Sequence, residues 1–152
     1  MESIDVTIKS WAELDTLELY QLLQLRSEVF VVEQECAYQD LDAQDFEAMH
    51  LTAKAPSHKA LMAYARIYTT VINKKEYAAI GRVCTAKTYR GQGISRQLMD
   101  HAIQYIIQNL ELPITVSAQA YLKEFYHSLG FETVSEPYLE DGIPHIRMVR
   151  ET

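Results

Sequence analysis

The succession of elements in this 152-residue chain predicts an α/β or α+β domain, with helices packed around one mixed sheet. Three observations carry the prediction. Apolar and polar side chains alternate over residues 4–8, and strand-like segments crowd residues 50–85. A helix, a strand, a second helix and two strands then follow a glycine-containing turn at residues 90–93.

Each element has a local reason. Ile4, Val6 and Ile8 alternate with polar residues and predict a short first strand. Asp15, with Glu18 three residues on, predicts a capped helix start, where carboxylates meet free amides and the positive end of the helix dipole. Leu19, Leu22, Leu23 and Phe30 then approximate one stripe of a helix of about four turns. Residues 33–47 are rich in carboxylates and amides without a period, and read as a loop or a broken second helix. Strands are predicted at 50–54 and 60–69, with Ala55-Pro56-Ser57-His58-Lys59 as the hairpin turn between them, and at 78–85. Residues 94–109 predict a strong helix with Leu98, Ala102, Tyr105 and Ile106 on one face, widened by Met99, Ile103 and Ile107. Pro113 breaks the chain before a strand at 114–118. A helix at 121–129 stops at Gly130, and two strands flank Asp141-Gly142-Ile143-Pro144.

No repeat, low-complexity tract or linker divides residues 1–152, so a single domain is expected. Hydrophobic residues make up 48% and charged residues 23%, an ordinary balance for a chain with a real core. Fourteen basic against 21 acidic side chains leave a net charge of −7. That sign disfavours nucleic-acid and anionic-membrane partners, yet permits an anionic cofactor held by backbone amides. Cys36 and Cys84 are far apart and form no CxxC spacing, so no disulfide framework is indicated. The N-terminus resembles no signal peptide and no apolar run approaches a membrane span, which makes cytoplasmic the expected location.

The segment most suggestive of chemistry is Val83-Cys84-Thr85-Ala86-Lys87-Thr88-Tyr89-Arg90-Gly91-Gln92-Gly93-Ile94-Ser95, read as strand, turn and helix start. Such a turn delivers unpaired amides to the start of a helix, and its glycines allow close approach and unusual backbone angles. The product is a pocket suited to a pyrophosphate. A P-loop needs Lys-Ser/Thr after its last glycine, whereas Ile94-Ser95 stand there. A dinucleotide fingerprint needs three glycines near a first strand, and this turn has two in mid-chain.

Arg90-Gly91-Gln92-Gly93-Ile94-Ser95 resembles the Q/R-x-x-G-x-G/A pyrophosphate motif of the GNAT N-acetyltransferases, with Ser95 in place of the usual Gly or Ala. Residues 119–131 resemble the family's second pattern, N-x-x-A-x-x-L/F-Y-x-x-x-G-F. Gln119 and Leu122 depart from it, while Phe125-Tyr126 and Gly130-Phe131 match. Residues 25–34, 38–42 and 140–146 are further similar to the ElaA-like group of that family, so the likeness spans nearly the whole chain. The resemblance implies a mixed, mostly antiparallel twisted sheet splayed in its middle, with helices on both faces. It also implies acetyl-CoA as cofactor, its pyrophosphate on the amides of residues 90–95 and its pantetheine arm along Val83, Cys84 and Thr85, with Gln119 and Tyr126 nearby. The activity implied is direct acetyl transfer to an amine acceptor, a small molecule or a peptide, in a ternary complex.

A lysine-like amine with a pKa of about 10.4 must lose a proton before it attacks, and the leaving thiolate must be stabilised. The resemblance assigns the second task to Tyr126. A phenol at about 10 against a thiol at about 8.5 makes full proton transfer uphill by roughly 2 kcal/mol in water, so hydrogen bonding to the thiolate is its main expected role. Glu33 is the candidate base, since seven residues after Arg26 it would share a helical face with it, towards the acceptor region. His145, His50 and a water chain are the alternatives. Cys84, on the cofactor strand, is read as a packed residue. The dispersed histidines show no paired metal spacing, and Asp40, Asp42 and Asp45 lack the glycine and glutamate of a calcium loop, so no metal is expected. Sheet-edge or C-terminal strand contacts leave a homodimer open. The competing functions are a non-catalytic CoA-binding regulatory module and a phosphate-binding protein of unrelated fold.

Overall fold

The computed structural model describes residues 4–57 and 60–152. Eight strands form one sheet: β1 (Asp5–Ser10), β2 (Met49–Lys54), β3 (Ala63–Ile72), β4 (Lys75–Thr85), β5 (Ile114–Gln119), β6 (Glu132–Thr133), β7 (Tyr138–Glu140) and β8 (Ile143–Arg150). Their order is β1-β2-β3-β4-β5-β8-β6, and β7 also pairs with β8. Every neighbouring pair is antiparallel except β4 and β5. Those two strands touch only at Ala78–Ile114 and Ala79–Thr115, then separate. Residues 80–85 and 116–119 thus become the walls of a cleft in the middle of the sheet.

Helix α2 (Ile94–Asn109) lies on one face of the sheet. It inserts Leu98, Met99, Ala102 and Ile106 into the main core formed with Leu51, Ala65, Ile80 and Val116. The short α3 (Lys123–Ser128) joins the same core through Tyr126. Helix α1 (Thr16–Arg26) covers the opposite face, where Leu22, Leu25 and Val29 pack on Tyr64 and Cys84. Helices therefore flank both faces, as expected.

Several boundaries differ from the sequence reading for identifiable reasons. The Asp15–Glu18 capping box forms as expected. The buried stripe of α1, however, is Leu22, Leu25, Arg26 and Val29, with Leu19, Leu23 and Phe30 half-buried beside it. After Arg26 the helix widens into a π-helical segment, Ser27–Glu33. This changes the period and takes Glu33 off the Arg26 face. The 33–47 segment is a loop with one 3-10 turn at Gln44–Phe46. β3 and β4 run to a tight turn at Asn73-Lys74, whose φ values of 50° and 67° both lie in the left-handed region that two-residue hairpins use. The turn expected at 55–59 falls partly outside the described residues.

Candidate active site

The turn after β4 is built almost wholly by local bonds. Gly91 and Gly93 have φ of 79° and 76°, so their requirement for glycine is conformational. A Cβ at either would meet nothing within 4 Å, which leaves the space beside the turn open. Gly93 is the N-cap of α2 and no side chain caps that helix, so its first amides point out unsatisfied. Gln92 is exposed, while the Ile94 side chain is 2% exposed and anchors the helix in the core. Arg90 Nε donates to the Thr85 carbonyl (3.0 Å), and the Thr85 and Ser95 hydroxyls are 2.5 Å apart. Ser95, the departure from the family motif, thus ties the strand end to the helix start.

The cleft between β4 and β5 opens into a cavity of about 400 Å³. Val83, Cys84, Thr85, Arg90 and Ser95 line it from the β4 side, and Gln119, Leu122, Phe125 and Tyr126 from the β5–α3 side. Tyr126 is 5% exposed. Its hydroxyl bonds to no described residue, and it is not sealed from solvent, because the Arg66 Nε is the fully enclosed side-chain polar atom that lacks a partner. The hydroxyl therefore faces the cavity, with burial pushing its pKa up to about 12. The Cys84 thiol is also pushed up to about 12 by burial, which keeps it protonated and disqualifies it as a nucleophile.

Beyond the strands the cavity is walled by residues 29–38 on one side and by the β7–β8 hairpin on the other. Glu33 lines it, but Arg90 engages both of its oxygens, Nη2 to Oε1 at 2.7 Å and Nη1 to Oε2. That pair holds the Glu33 carboxyl below its ordinary range. His145 also lines the cavity and is 6% exposed. Its Nδ1 lies 2.6 Å from the Ile143 carbonyl, which can only accept, so Nδ1 carries a hydrogen and Nε2 is the nitrogen where a lone pair falls in the neutral tautomer. The Glu140 carboxylate stands 3.5 Å from Nε2 and accepts from Ser117 Oγ at 3.2 Å.

Two expectations are corrected here. His50 does not reach the cavity: it is 1% exposed, donates from Nε2 to the Asp45 carbonyl (2.9 Å) and accepts from the Tyr64 hydroxyl at Nδ1 (2.6 Å). Burial lowers its pKa and keeps it neutral, so it is a core histidine. Arg26 does not share the acceptor face with Glu33. It is fully buried and binds Asp40 (2.9 Å) and Asp45 (2.7 Å).

Asp40 and Asp45 belong to a clasp that holds the 34–47 loop against the sheet. Arg66 binds Asp42 (2.6 Å) and Asp45 (2.8 Å), and Arg82 binds Asp40 (2.8 Å). Burial pushes the Asp45 carboxyl upward, but Arg26 and Arg66 outweigh it and hold it low; Asp42, bonded by Arg66, falls to about 2. The three aspartates with a calcium-loop look are thus counter-ions to three arginines. Arg82 is placed by a bulge in β4, where the register with β3 slips and Arg82 takes φ 52°. Cys36, Tyr38, Arg82, Ser117, Glu140 and Asp141 are cavity residues to which the sequence attached no role. The signal for some was present, since 38–42 and 140–146 are the segments that resemble the ElaA-like group, but no spacing joins them.

Residues 21–152 match the model of the acetyltransferase (GNAT) domain. The chain belongs to that family. It is 43% identical to the protein ElaA of Escherichia coli over 141 residues, 92% of each chain. The crystal structure of E. coli ElaA superposes with a TM-score of 0.89 at 40% identity, covering 98% of this chain and 100% of that one. The crystal structure of an acyl-CoA N-acyltransferase from Pseudomonas aeruginosa gives 0.86 at 45% identity, covering 97% and 99%. The fold is therefore the GNAT fold and the chain is ElaA-like. No helix among the described residues is long and apolar enough to cross a membrane.

Proposed function

We propose that this GNAT protein is an acetyl-CoA-dependent N-acetyltransferase that acts on an amine acceptor by direct transfer. The observation that carries the reading is the Tyr126 hydroxyl, unpartnered and facing a cleft whose other end is an uncapped helix start. The residues fit an acyl-CoA. The amides of 91–95 suit a diphosphate, and the Arg90 guanidinium, shared with Glu33, stands beside them. The open edge of β4 at 83–85 offers main-chain groups to the amides of a pantetheine arm, and Leu122 and Phe125 supply apolar cover. Acetyl-CoA supplies a thioester whose carbon accepts the amine nitrogen as the carbon–sulfur bond breaks.

The protein's own groups then divide the work. Tyr126 donates a hydrogen bond to the departing sulfur; its raised pKa makes it a poor proton source but a persistent donor. Amides on the splayed part of β4 would stabilise negative charge developing on the carbonyl oxygen. His145, with its lone pair at Nε2 and Glu140 beside it, takes the proton from the amine. Glu33 is less suited to that task, because Arg90 occupies both its oxygens and lowers its basicity. In this reading it positions Arg90.

Tyr126→Phe tests the reading through thiol release and CoA calorimetry. The expected result is a fall in kcat of about a hundredfold, with the Kd for CoA changed less than about twofold. Equal turnover in the variant would remove Tyr126 from the chemistry, whereas CoA binding by the parent without acetyl transfer to any acceptor would favour a non-catalytic CoA-binding module.

A further inference from the structure

Away from the cofactor turn, the remaining half of the cavity has a distinct electrostatic character. Its charged wall residues are Glu33, Glu140 and Asp141 against Arg82 and Arg90. Both arginines are committed elsewhere: Arg90 is paired to Glu33, and Arg82 to Asp40 and Asp42. Two carboxylates are left over. Glu140 meets only Ser117 and His145, and the Asp141 carboxylate binds no described side chain. They project from consecutive positions of the β7–β8 hairpin, and Asp141 is pinned by its left-handed φ of 51°. The recess they border runs to Tyr126, a residue more than nine-tenths buried whose hydroxyl still lacks a partner among the described residues.

The shape of the recess restricts what can lie in it. The Cys36 thiol donates to the Asp141 carbonyl at 3.4 Å, so the 34–38 loop and the hairpin turn meet across the mouth. The loop cannot swing aside cheaply, since Tyr38 bonds Asp40 (3.1 Å) and Asp40 is held by Arg26 and Arg82. An extended chain passing between the two segments would have to break that contact; a short molecule entering the recess would not.

We propose that the acceptor is a small aliphatic amine carrying a second cationic nitrogen, held by Glu140 and Asp141 while the reacting nitrogen lies between His145 and Tyr126. This rests on the acetyltransferase reading for the fate of the reacting nitrogen, but the recognition of charge does not. A second ammonium finds two unneutralised carboxylates at the exposed rim of the recess, beside a protein surface where the attraction still exceeds that in bulk water. A neutral chain of equal length meets the same apolar walls without that gain, and an anionic acceptor is repelled.

The experiment compares 1,4-diaminobutane, butylamine and a short neutral tripeptide. Acetyl-CoA turnover is read by thiol release, and binding to the CoA-loaded protein by calorimetry. The expected kcat/KM for the diamine exceeds that for butylamine roughly tenfold, about 1.4 kcal/mol, and exceeds that for the tripeptide by more. Asp141→Asn, which keeps a residue tolerant of positive φ, is expected to shrink the diamine-to-butylamine ratio at least threefold. Equal rates for diamine and butylamine, preference for the tripeptide, or an unchanged ratio in Asp141→Asn would overturn the proposal while leaving the transferase reading intact. Charge-dependent binding of the diamine without acetyl transfer to any acceptor would overturn the transferase reading and the diamine's role as acceptor, and support only its recognition by Glu140 and Asp141.

Discussion

The two ends of the cleft are made by opposite means. At the end proposed for the diphosphate the bonds are local: Arg90 to Thr85, Thr85 to Ser95, separations of 5 and 10 residues, and the proposed recognition surface is made of backbone amides. At the end proposed for the acceptor the wall is a loop that stays in place because Arg26, Arg66 and Arg82 reach it across separations of 14 to 42 residues, and because Cys36 touches Asp141 at a separation of 105. The first end depends on chain conformation and little on side-chain identity, whereas the second depends on charged side chains and hardly on local conformation. Substitutions at the two ends should therefore fail in different ways, one through cofactor affinity and the other through stability and acceptor kinetics.

The largest effect is expected at the clasp. Asp45 bridges Arg26 and Arg66, both nearly fully buried, and without it each loses one of its two carboxylate partners, keeping only Asp40 or Asp42. Breaking a buried pair by removing one partner costs about 3–5 kcal/mol. Asp45→Ala should lower unfolding stability by that amount in denaturant titration, while the protein that remains folded binds CoA within about twofold of the parent. A loss below about 1 kcal/mol would show that the loop is held by something other than these charges.

The opposite failure is expected at Gly93. A branched side chain at φ 76° is strained, by about 1–3 kcal/mol, yet has open space around it. The chain should respond by shifting the turn rather than by unfolding. Gly93→Val is then expected to weaken CoA binding about tenfold or more, with the unfolding midpoint little changed. If diamine binding to CoA-loaded protein were lost as well, the two ends would not be separable in this way.

The same contrast explains what could be read without coordinates. The turn from Val83 to Ser95 was legible because its conformation is local: two glycines, a strand before them and a helix after them describe the turn almost completely. Helix α2 was legible for a similar reason, its apolar period running unbroken from Ile94 to Asn109. The α1 stripe was read in part: Leu19, Leu22, Leu23 and Phe30 all pack in the smaller core, but Leu25 was missed, and so was Val29, which lies in the π-helical segment after Arg26 that a 3.6-residue period cannot anticipate. Arg26 itself was hidden by type, since an arginine with no exposure is intelligible only once Asp40 and Asp45 are seen around it. His50 and His145 are indistinguishable as sequence. Register alone separates them: His145 pairs with Gln119 beside the cleft, and His50 with Arg66 beneath the clasp.

Glu33 belongs to both ends, and it offers the smallest and most discriminating effect. It leaves the π-helical wall of the acceptor half and grips Arg90 in the cofactor turn, with both side chains more than a third exposed or close to it. A pair so solvated is worth about 0.2–1 kcal/mol. If Glu33 only positions Arg90, Glu33→Gln should raise the Kd for CoA about two- to fivefold and leave the pH dependence of kcat where the parent has it. If instead Glu33 accepts the amine proton, the amide cannot replace it. Then kcat should fall about a hundredfold or more at unchanged CoA affinity, and His145→Gln should do comparatively little. The pair of variants thus assigns the proton to one wall of the recess or the other, and shows whether the two ends of the cleft communicate through this ion pair or act independently.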